Sequence, residues 1–155
     1  MNVRKNLSKL KISDNFLMKS LHIFLEISNW NKNNKNIQKN LKKIIKEDKI
    51  SSWQYIKNIP KNQKLFFLLD NQENILSFIH LTFINNNELQ FSFSYTPLLH
   101  RRKGNNKTLR KYIIYKYKKY GITKFSSIPF DGANSIYLLI KLGFKKKGQK
   151  YIFKF

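Results

Sequence analysis

The sequence predicts an α/β fold, in which one mixed β-sheet is flanked by helices within a single domain spanning residues 1–155. Apolar residues recur at helical spacing in the first 50 residues, whereas residues 65–95 hold the short apolar or alternating runs typical of strands. A basic, glycine-containing loop at residues 101–106 then precedes a helix–strand–helix pattern. We find neither an internal repeat nor a linker, so we expect these elements to share one core.

The N-terminal region predicts a short strand at residues 7–12 followed by two helices. Ser13 and Asp14 can cap the first helix. Its apolar positions share one face: Phe16, Leu17, Leu21, Phe24 and Leu25. A polar loop leads to the second helix, whose apolar face lies opposite its lysines: Ile37, Leu41, Ile44 and Ile45. Residues 51–60 predict one further short turn, capped by serine and ended by Pro60.

Residues 65–69, 75–84 and 88–95 predict three strands joined as an antiparallel meander. The turn between the second and third is Asn85–Asn87, a residue type that favours turns. Alternation in the third strand places four apolar residues on one face: Leu89, Phe91, Phe93 and Tyr95. Its polar residues then share the other face: Glu88, Gln90, Ser92 and Ser94.

The second half of the chain predicts a helix, a strand, a helix and a closing hairpin. The first of these helices stops at Gly121 and carries an apolar stripe: Leu109, Ile113, Tyr117 and Tyr120. Residues 122–128 predict a strand parallel to the one before the loop, because strand–helix–strand crossovers are right-handed. Asp131 can cap the final helix, which carries Ile136, Leu139 and Ile140 and ends at Gly143. Residues 144–155 predict a closing strand or a hairpin around Gly148.

The formal net charge of +23 favours an anionic partner. Composition offers a second explanation, because 27 Lys against 4 Arg, with 19 Asn and one Ala, is what AT-rich codons produce in any protein. The distribution is more informative than the total. From Arg101 to the end there are 16 Lys and Arg residues and one acid, Asp131. We therefore expect a negatively charged ligand at the C-terminal third.

Several classes of function are disfavoured by what the sequence lacks. No apolar run reaches the roughly 18 residues of a membrane span, and we expect a cytoplasmic protein without membrane attachment. With no cysteine and three scattered histidines, we expect no metal site. The basic loop lacks the Gly-Lys-Ser/Thr ending of a P-loop, which argues against nucleotide hydrolysis.

The loop Arg101–Asn106 has the properties of a phosphate site. It lies between a predicted strand and a predicted helix start, where backbone N–H groups are unpaired and the helix dipole is positive. Gly104 permits a tight turn and a close approach by a ligand. In a chain this cationic, however, three basic residues beside a glycine also describe an ordinary solvated loop.

The order of elements and two local motifs resemble the GNAT superfamily of acyltransferases. The loop of that family reads Gln/Arg-x-x-Gly-x-Gly/Ala, and this chain matches it at Arg101 and Gly104. A second family motif closes a helix on Leu-Gly-Phe and matches Leu142, Gly143 and Phe144. The resemblance covers nearly the whole chain in element order and about residues 88–148 in motif. It implies a GNAT fold and acetyl transfer from acetyl-CoA to an amine.

The resemblance also implies which residues bind the cofactor. Pyrophosphate would lie on the amides of the loop and helix start: Arg101, Arg102, Lys103, Gly104, Asn105, Asn106 and Lys107. The pantetheine would pair with the strand ending near Tyr95, where that strand splays from its parallel neighbour. Asn134 is a displaced candidate for a cofactor-contacting asparagine of the family, whose own position holds Gly132 here. Asn106 also departs from the family, since it replaces the last small residue of the loop.

The catalytic residues are harder to match. A carboxylate base on the central strand is one solution in the family, and Glu88, 13 residues before Arg101, is the candidate here. A surface acid flanking the Asn85–Asn87 turn is the competing interpretation of Glu88. The tyrosine that often protonates the leaving thiolate is replaced by Leu139, so Tyr137, two residues away, is the candidate acid. His80 is most simply a hydrogen-bonded core histidine or a sheet-face histidine.

Three functions therefore stay open. The first is an acetyl-CoA-dependent N-acetyltransferase acting on a protein N-terminus, a lysine or a small-molecule amine. The second is a binding protein for nucleic acid or the ribosome, which would use the basic C-terminal third and four tyrosines: Tyr112, Tyr115, Tyr117 and Tyr120. The third is a GNAT-like protein that binds CoA without turnover. The acceptor and the oligomeric state are not predicted by any motif.

Overall fold

The computed structural model describes residues 22–50, 57–129 and 135–155. The seven strands in these ranges form one sheet: β1 (Ile23–Ile27), β2 (Gln63–Leu69), β3 (Ile75–Phe83), β4 (Glu88–Tyr95), β5 (Lys124–Ser127), β6 (Lys145–Lys147) and β7 (Lys150–Lys154). The α-helices in the same ranges are α1 (Lys35–Glu47), α2 (Asn105–Lys118) and α3 (Ser135–Lys141), beside short 3-10 turns at Lys32–Asn34 and Leu98–His100. The predicted features at residues 7–21 and 51–56 and the cap at Asp131 lie outside the described residues.

The sheet has the order β1-β2-β3-β4-β5-β7-β6 and is mixed, as predicted. β4 and β5 run parallel, and the other neighbouring pairs are antiparallel. The antiparallel meander, the parallel pairing of the strand after the helix and the hairpin around Gly148 are therefore confirmed. None of the helices in these ranges has the length and apolar character that crossing a membrane requires.

The prediction that Phe24 and Leu25 belong to a helix is wrong. Residues Ile23–Ile27 form β1, which pairs antiparallel with β2 from Ile23 opposite Leu69 to Ile27 opposite Leu65. A short apolar run has no reliable period of its own, so its partner decides its structure. Here the partner is the apolar edge of β2, and Phe24 stacks on Tyr112 of α2 with ring centroids 3.9 Å apart.

Two apolar cores lie on opposite faces of the sheet. One contains Leu109 and Ile113 of α2 and Leu139 of α3, and the other contains Ile37 and Leu41 of α1. Two of the apolar residues assigned to the helices do not join a core: Tyr120 is 72% exposed and Ile140 is 57% exposed. Tyr120 follows the end of α2, and Ile140 lies on the outer side of a helix that buries Leu139.

A β-bulge in β4 changes which residues share a face. His80 of β3 pairs with Phe93, whereas the next residue, Leu81, pairs with Phe91, so Ser92 is the extra residue. Leu89 and Phe91 consequently pack in the core under α2, while Phe93 and Tyr95 pack against the core under α1. The prediction that these four residues share one face is therefore wrong, because strict alternation assumes a strand without a bulge.

Glu26 ties the edge strand β1 to α2 and β2. Its carboxylate accepts hydrogen bonds from Lys116 Nζ at 2.5 Å, from Lys64 Nζ at 2.9 Å and from the Tyr117 hydroxyl. Burial alone would raise the pKa of Glu26, but these three donors outweigh it and hold the pKa below its usual value. Burial, and then the hydrogen bond to Glu26, raise the pKa of Tyr117.

Glu26→Ala is expected to lower the free energy of unfolding by about 2–3 kcal/mol, since it leaves three donors without their shared acceptor. Urea denaturation measures the loss. Because the pKa of Glu26 is lower in the folded state, the carboxylate stabilises the fold above its unfolded pKa, and this contribution fades as the pH falls through the folded pKa. The matched control is Glu47→Ala, since Glu47 makes only an exposed pair with Lys43 at 3.9 Å and should cost less than about 0.5 kcal/mol. Equal losses in the two variants would contradict the prediction.

Candidate functional site

The basic loop joins the end of β4 to the start of α2. Gly104 is the N-cap of α2 and has φ +75°, in the left-handed region that favours glycine. Arg102 also has a left-handed backbone, with φ +61°. These two residues let the chain reverse after the Leu98–His100 turn and enter the helix within a few residues.

The start of α2 is arranged to receive an anion. The first backbone hydrogen bond of the helix runs from Thr108 N to the Gly104 carbonyl at 2.9 Å, so the amides before Thr108 have no partner within the helix. The first turn has no acidic residue. Arg101, Arg102 and Lys103 are exposed beside these amides. The helix dipole, the N–H groups without a partner in the helix and the side-chain charge therefore all attract an anion to this position.

Side chains hold the loop against the sheet and against α1. Asn105 Nδ2 donates to the His100 carbonyl at 2.9 Å, and Arg101 Nε donates to the Thr96 carbonyl at 3.0 Å. The Tyr95 hydroxyl donates to Asp48 Oδ2 at 2.9 Å. Asp48 is the C-cap of α1, so Tyr95 connects the loop region to that helix. Burial, and then the neighbouring carboxylate of Asp48, raise the pKa of Tyr95.

A cleft opens where β4 and β5 part. Their parallel pairing begins at Glu88 opposite Lys124 and ends at Phe91 opposite Ser127, although β4 continues to Tyr95. The cleft has a volume of about 190 Å³. The cleft is lined by residues of β4 and β5, by one residue each of α2, α3 and β3, and by two residues that follow β5. These lining residues are His80, Phe91, Ser92, Phe93, Ser94, Arg110, Ser127, Ile128, Pro129 and Ser135.

Asn106 points away from the surface of the loop. Its Nδ2 donates to Ser77 Oγ at 3.2 Å, and its Oδ1 accepts from Arg110 Nε at 2.7 Å. Ser77 Oγ is in turn 3.1 Å from the Tyr95 carbonyl, to which it donates. The side chain that replaces the small residue of the family loop is therefore turned toward the sheet and does not cover the helix amides.

Glu88 lies away from this cleft. It starts β4, whereas the loop follows the other end of the strand, roughly 20 Å away at 3.3–3.4 Å per residue. It is 6% exposed and accepts from Ser126 Oγ at 2.8 Å, with Lys124 Nζ at 3.4 Å and Lys150 Nζ at 3.5 Å. Glu88 is therefore not the surface acid that its place after a turn indicates. Burial would raise its pKa, but Ser126 and the two lysines lower it.

The structure does not bring the other catalytic candidate into the cleft. Tyr137 is 66% exposed, and Lys141 Nζ lies 4.5 Å from the centre of its ring. Leu139, at the position of the family tyrosine, is fully buried in the core. Asn134 lies outside the described residues. Among the residues described, no cluster of three or more His, Asp or Glu side chains could hold a metal ion.

Two residues of the cleft carry chemistry that the sequence pattern did not assign to it. His80 is 8% exposed, its Nε2 lies 2.8 Å from Gln63 Oε1, and burial lowers its pKa below 6.5. Arg110 is 2% exposed on the inner face of α2. One feature of the sequence could have indicated that Arg110 is buried: it directly follows Leu109 of the apolar stripe. Arginine is also rare in this chain, which has four.

A splayed parallel strand pair beside a basic loop and a helix start defines an acyl-CoA N-acyltransferase fold. Known structures agree: a GNAT-family acetyltransferase of Staphylococcus aureus matches with a TM-score of 0.64 at 17% identity, over 85% of this chain and 99% of that one. The ribosomal-protein-S18-alanine N-acetyltransferase of E. coli matches with a TM-score of 0.64 at 14% identity, over 85% and 91%. An N-acetyl transferase-like protein of E. coli, solved with coenzyme A, matches with a TM-score of 0.58 at 15% identity, over 87% and 99%.

The chain therefore has the GNAT fold that its motifs resemble. No protein-family model matches the sequence, and no curated protein matches it either. At 14–17% sequence identity, this chain and the three known structures share their fold but few of their residues.

Proposed function

We propose that this protein is an acetyl-CoA-dependent N-acetyltransferase that moves an acetyl group to an amine by direct attack in a ternary complex. The observation that carries the proposal is the cleft between β4 and β5, which follows β4 from Phe91 to Ser94, the end of the strand that precedes the basic loop. Such a cleft suits a long ligand with an anionic end. The coenzyme A in one of the similar structures supports acetyl-CoA as that ligand.

The residues present fit the cofactor. The amides and cations from Arg101 to Lys107 would hold its phosphates, and a Cβ on Gly104 would meet no protein atom within 4 Å, which leaves open space for them. The edge of β4 from Ser92 to Tyr95 would pair with its amide-bearing arm. Acetyl-CoA supplies an acyl group that is activated as a thioester. The protein positions that group and removes water from around it.

His80 is the candidate that we add for proton removal from the acceptor amine. It lines the cleft, and its lowered pKa keeps the imidazole neutral near pH 7, which is the form that accepts a proton. Glu88 stays a prediction for the same role, acting from the other end of β4. The acceptor can be a protein N-terminus, a lysine or a small-molecule amine.

The nucleic-acid alternative loses part of its basis in the structure. Tyr112 and Tyr117 are 8% and 6% exposed, so their rings cannot stack on bases. Exposed lysines remain on the β6–β7 hairpin, and they would bind phosphates in a strongly salt-dependent way. A CoA-binding protein without turnover is the other alternative, and Leu139 is the residue that motivates it.

Calorimetric titration with acetyl-CoA at moderate salt tests the proposed function. We expect saturable binding with a dissociation constant in the micromolar range, together with a rise in melting temperature, because a ligand that binds only the folded state stabilises it. Release of CoA when amines are added would establish turnover. Binding without release would favour the inactive alternative. No binding, combined with salt-sensitive binding to RNA, would overturn the proposal.

A further inference from the structure

Arg110 carries a buried positive charge that no acidic residue of the described ranges neutralises. Its Nε donates to Asn106 Oδ1 at 2.7 Å, and its Nη2 donates to Ser94 Oγ at 2.8 Å, so both acceptors are neutral. Nη1 has no hydrogen-bond acceptor among the residues that the structure describes. No ion pair within those same residues includes Arg110.

The buried guanidinium of Arg110 lowers the stability of the folded protein when no ligand is bound. Burial lowers the pKa of Arg110 to about 10, and its guanidinium carbon lies 5.0 Å from the centre of the Phe91 ring. Removing a charge from water is unfavourable unless an opposite charge or a full set of hydrogen bonds compensates it. An apolar side chain would fill the same position between Leu109 and Tyr112 without that cost. A bound anion in the cleft would provide the missing partner.

The position of Arg110 indicates which part of a ligand that anion belongs to. Of its two contacts on β4, Phe91 is the last residue that pairs with β5, whereas Ser94 lies in the unpaired part of the strand, one residue before Tyr95. The basic loop, which would hold the phosphates, lies beyond Tyr95 at the other end. A donor that enters with its phosphates at the loop therefore extends its thioester past Ser94 toward Phe91, and the guanidinium of Arg110 contacts both of these residues.

We propose that Arg110 binds the sulfur of the acyl-CoA donor and stabilises the CoA thiolate that leaves when the acyl group is transferred. This inference rests on the proposed function. The amine nitrogen forms a bond to the thioester carbon, and the carbon–sulfur bond then breaks with its electron pair going to sulfur. The proton of the amine goes to the base, whereas Arg110 keeps its own proton throughout and donates a hydrogen bond to the thiolate. A cation thus takes over the task of the tyrosine acid that Leu139 replaces.

The test compares the binding of CoA and of desulfo-CoA, which lacks the thiol, by the full-length protein at pH 6 and at pH 9. If Arg110 lowers the pKa of the bound CoA thiol by about one unit, CoA gains about two- to threefold in affinity over desulfo-CoA between these pH values, and up to about tenfold once the free thiol also ionises, since one unit corresponds to a tenfold change. Arg110→Met should abolish this gain. Arg110→Lys, which keeps a cation, should retain part of it. The chain has no cysteine, so thiolate absorbance in the ultraviolet reports the CoA thiol without interference from protein thiols.

Desulfo-CoA also serves as the control for folding, because its affinity for Arg110→Met should stay within about threefold of that for the unchanged protein. A gain that survives in Arg110→Met, or no gain in the unchanged protein, would overturn the role of Arg110 while leaving a CoA site in place. Failure of both nucleotides to bind would overturn the proposed function and this inference with it.

Discussion

Gly104→Trp is expected to weaken acetyl-CoA binding about 30-fold or more, equivalent to ~2 kcal/mol or more. The indole would extend from the N-cap of α2 into the space where no protein atom lies within 4 Å of a Cβ, which is the space assigned to the phosphates. It would hinder the approach of phosphate to the amides that follow Gly104. Calorimetric titration of the variant with acetyl-CoA measures the effect.

The matched control is Gly148→Trp in the β6–β7 hairpin. Gly148 also has a left-handed backbone, with φ +61°, and a Cβ there also meets no protein atom within 4 Å. Both variants therefore suffer the same kind of backbone strain, about 1–2 kcal/mol, but only one alters the loop. Unchanged affinity in Gly148→Trp separates ligand exclusion from general strain. If Gly104→Trp binds acetyl-CoA as tightly as Gly148→Trp, the phosphate site is not at this loop.

His80→Gln is expected to lower kcat about 100-fold while leaving the affinity for acetyl-CoA unchanged. A general base contributes roughly 10²- to 10⁴-fold, and glutamine can keep a hydrogen bond to Gln63 without accepting a proton at neutral pH. Because burial lowers the pKa of His80 below 6.5, the neutral form is lost only at acid pH. The rate of the unchanged protein should therefore rise with pH through a value below 6.5 and then level off. Steady-state kinetics across this pH range measures both effects.

Glu88→Gln is the comparison that decides between the two candidate bases. It should reduce stability, since Glu88 accepts from Ser126 and pairs with Lys124 and Lys150. Its kcat should stay within a few fold of that of the unchanged protein if His80 is the base. A large loss of kcat in Glu88→Gln, with His80→Gln nearly unaffected, would instead assign the base to Glu88.

Much of the fold could be predicted because its local signals are strong. The second predicted helix, the three-strand meander and the turn of Asn85–Asn87 each follow from apolar spacing and turn-forming residues. The basic loop stands out for the same reason: Gly104, with cations before it, precedes a clear helical stripe. The predictions that were wrong concern residues whose structure depends on partners distant in sequence. The apolar run Ile23–Ile27, for example, forms a strand because it pairs with β2.

The cleft was harder to predict than the loop. The parting of β4 from β5 was implied by the family resemblance, whereas the bulge at Ser92 was not predicted, and it moved Phe93 to the other face of the sheet. His80 and Arg110 come from different elements and meet only because β3, β4 and α2 pack together. Spacing along the chain cannot show such a meeting, since the residues lie 30 positions apart.

The α/β class, the order of most elements and the basic loop at a helix start follow from the amino-acid sequence, because they depend on residues close together in the chain. The tertiary structure alone decided that Glu88 is buried in ion pairs away from the cleft and that Tyr137 faces solvent. It also placed beside the parting strands a buried guanidinium, that of Arg110, which has no acidic partner among the residues described. The physical reason is that burial and charge pairing depend on which elements pack together, and local sequence patterns do not contain that information.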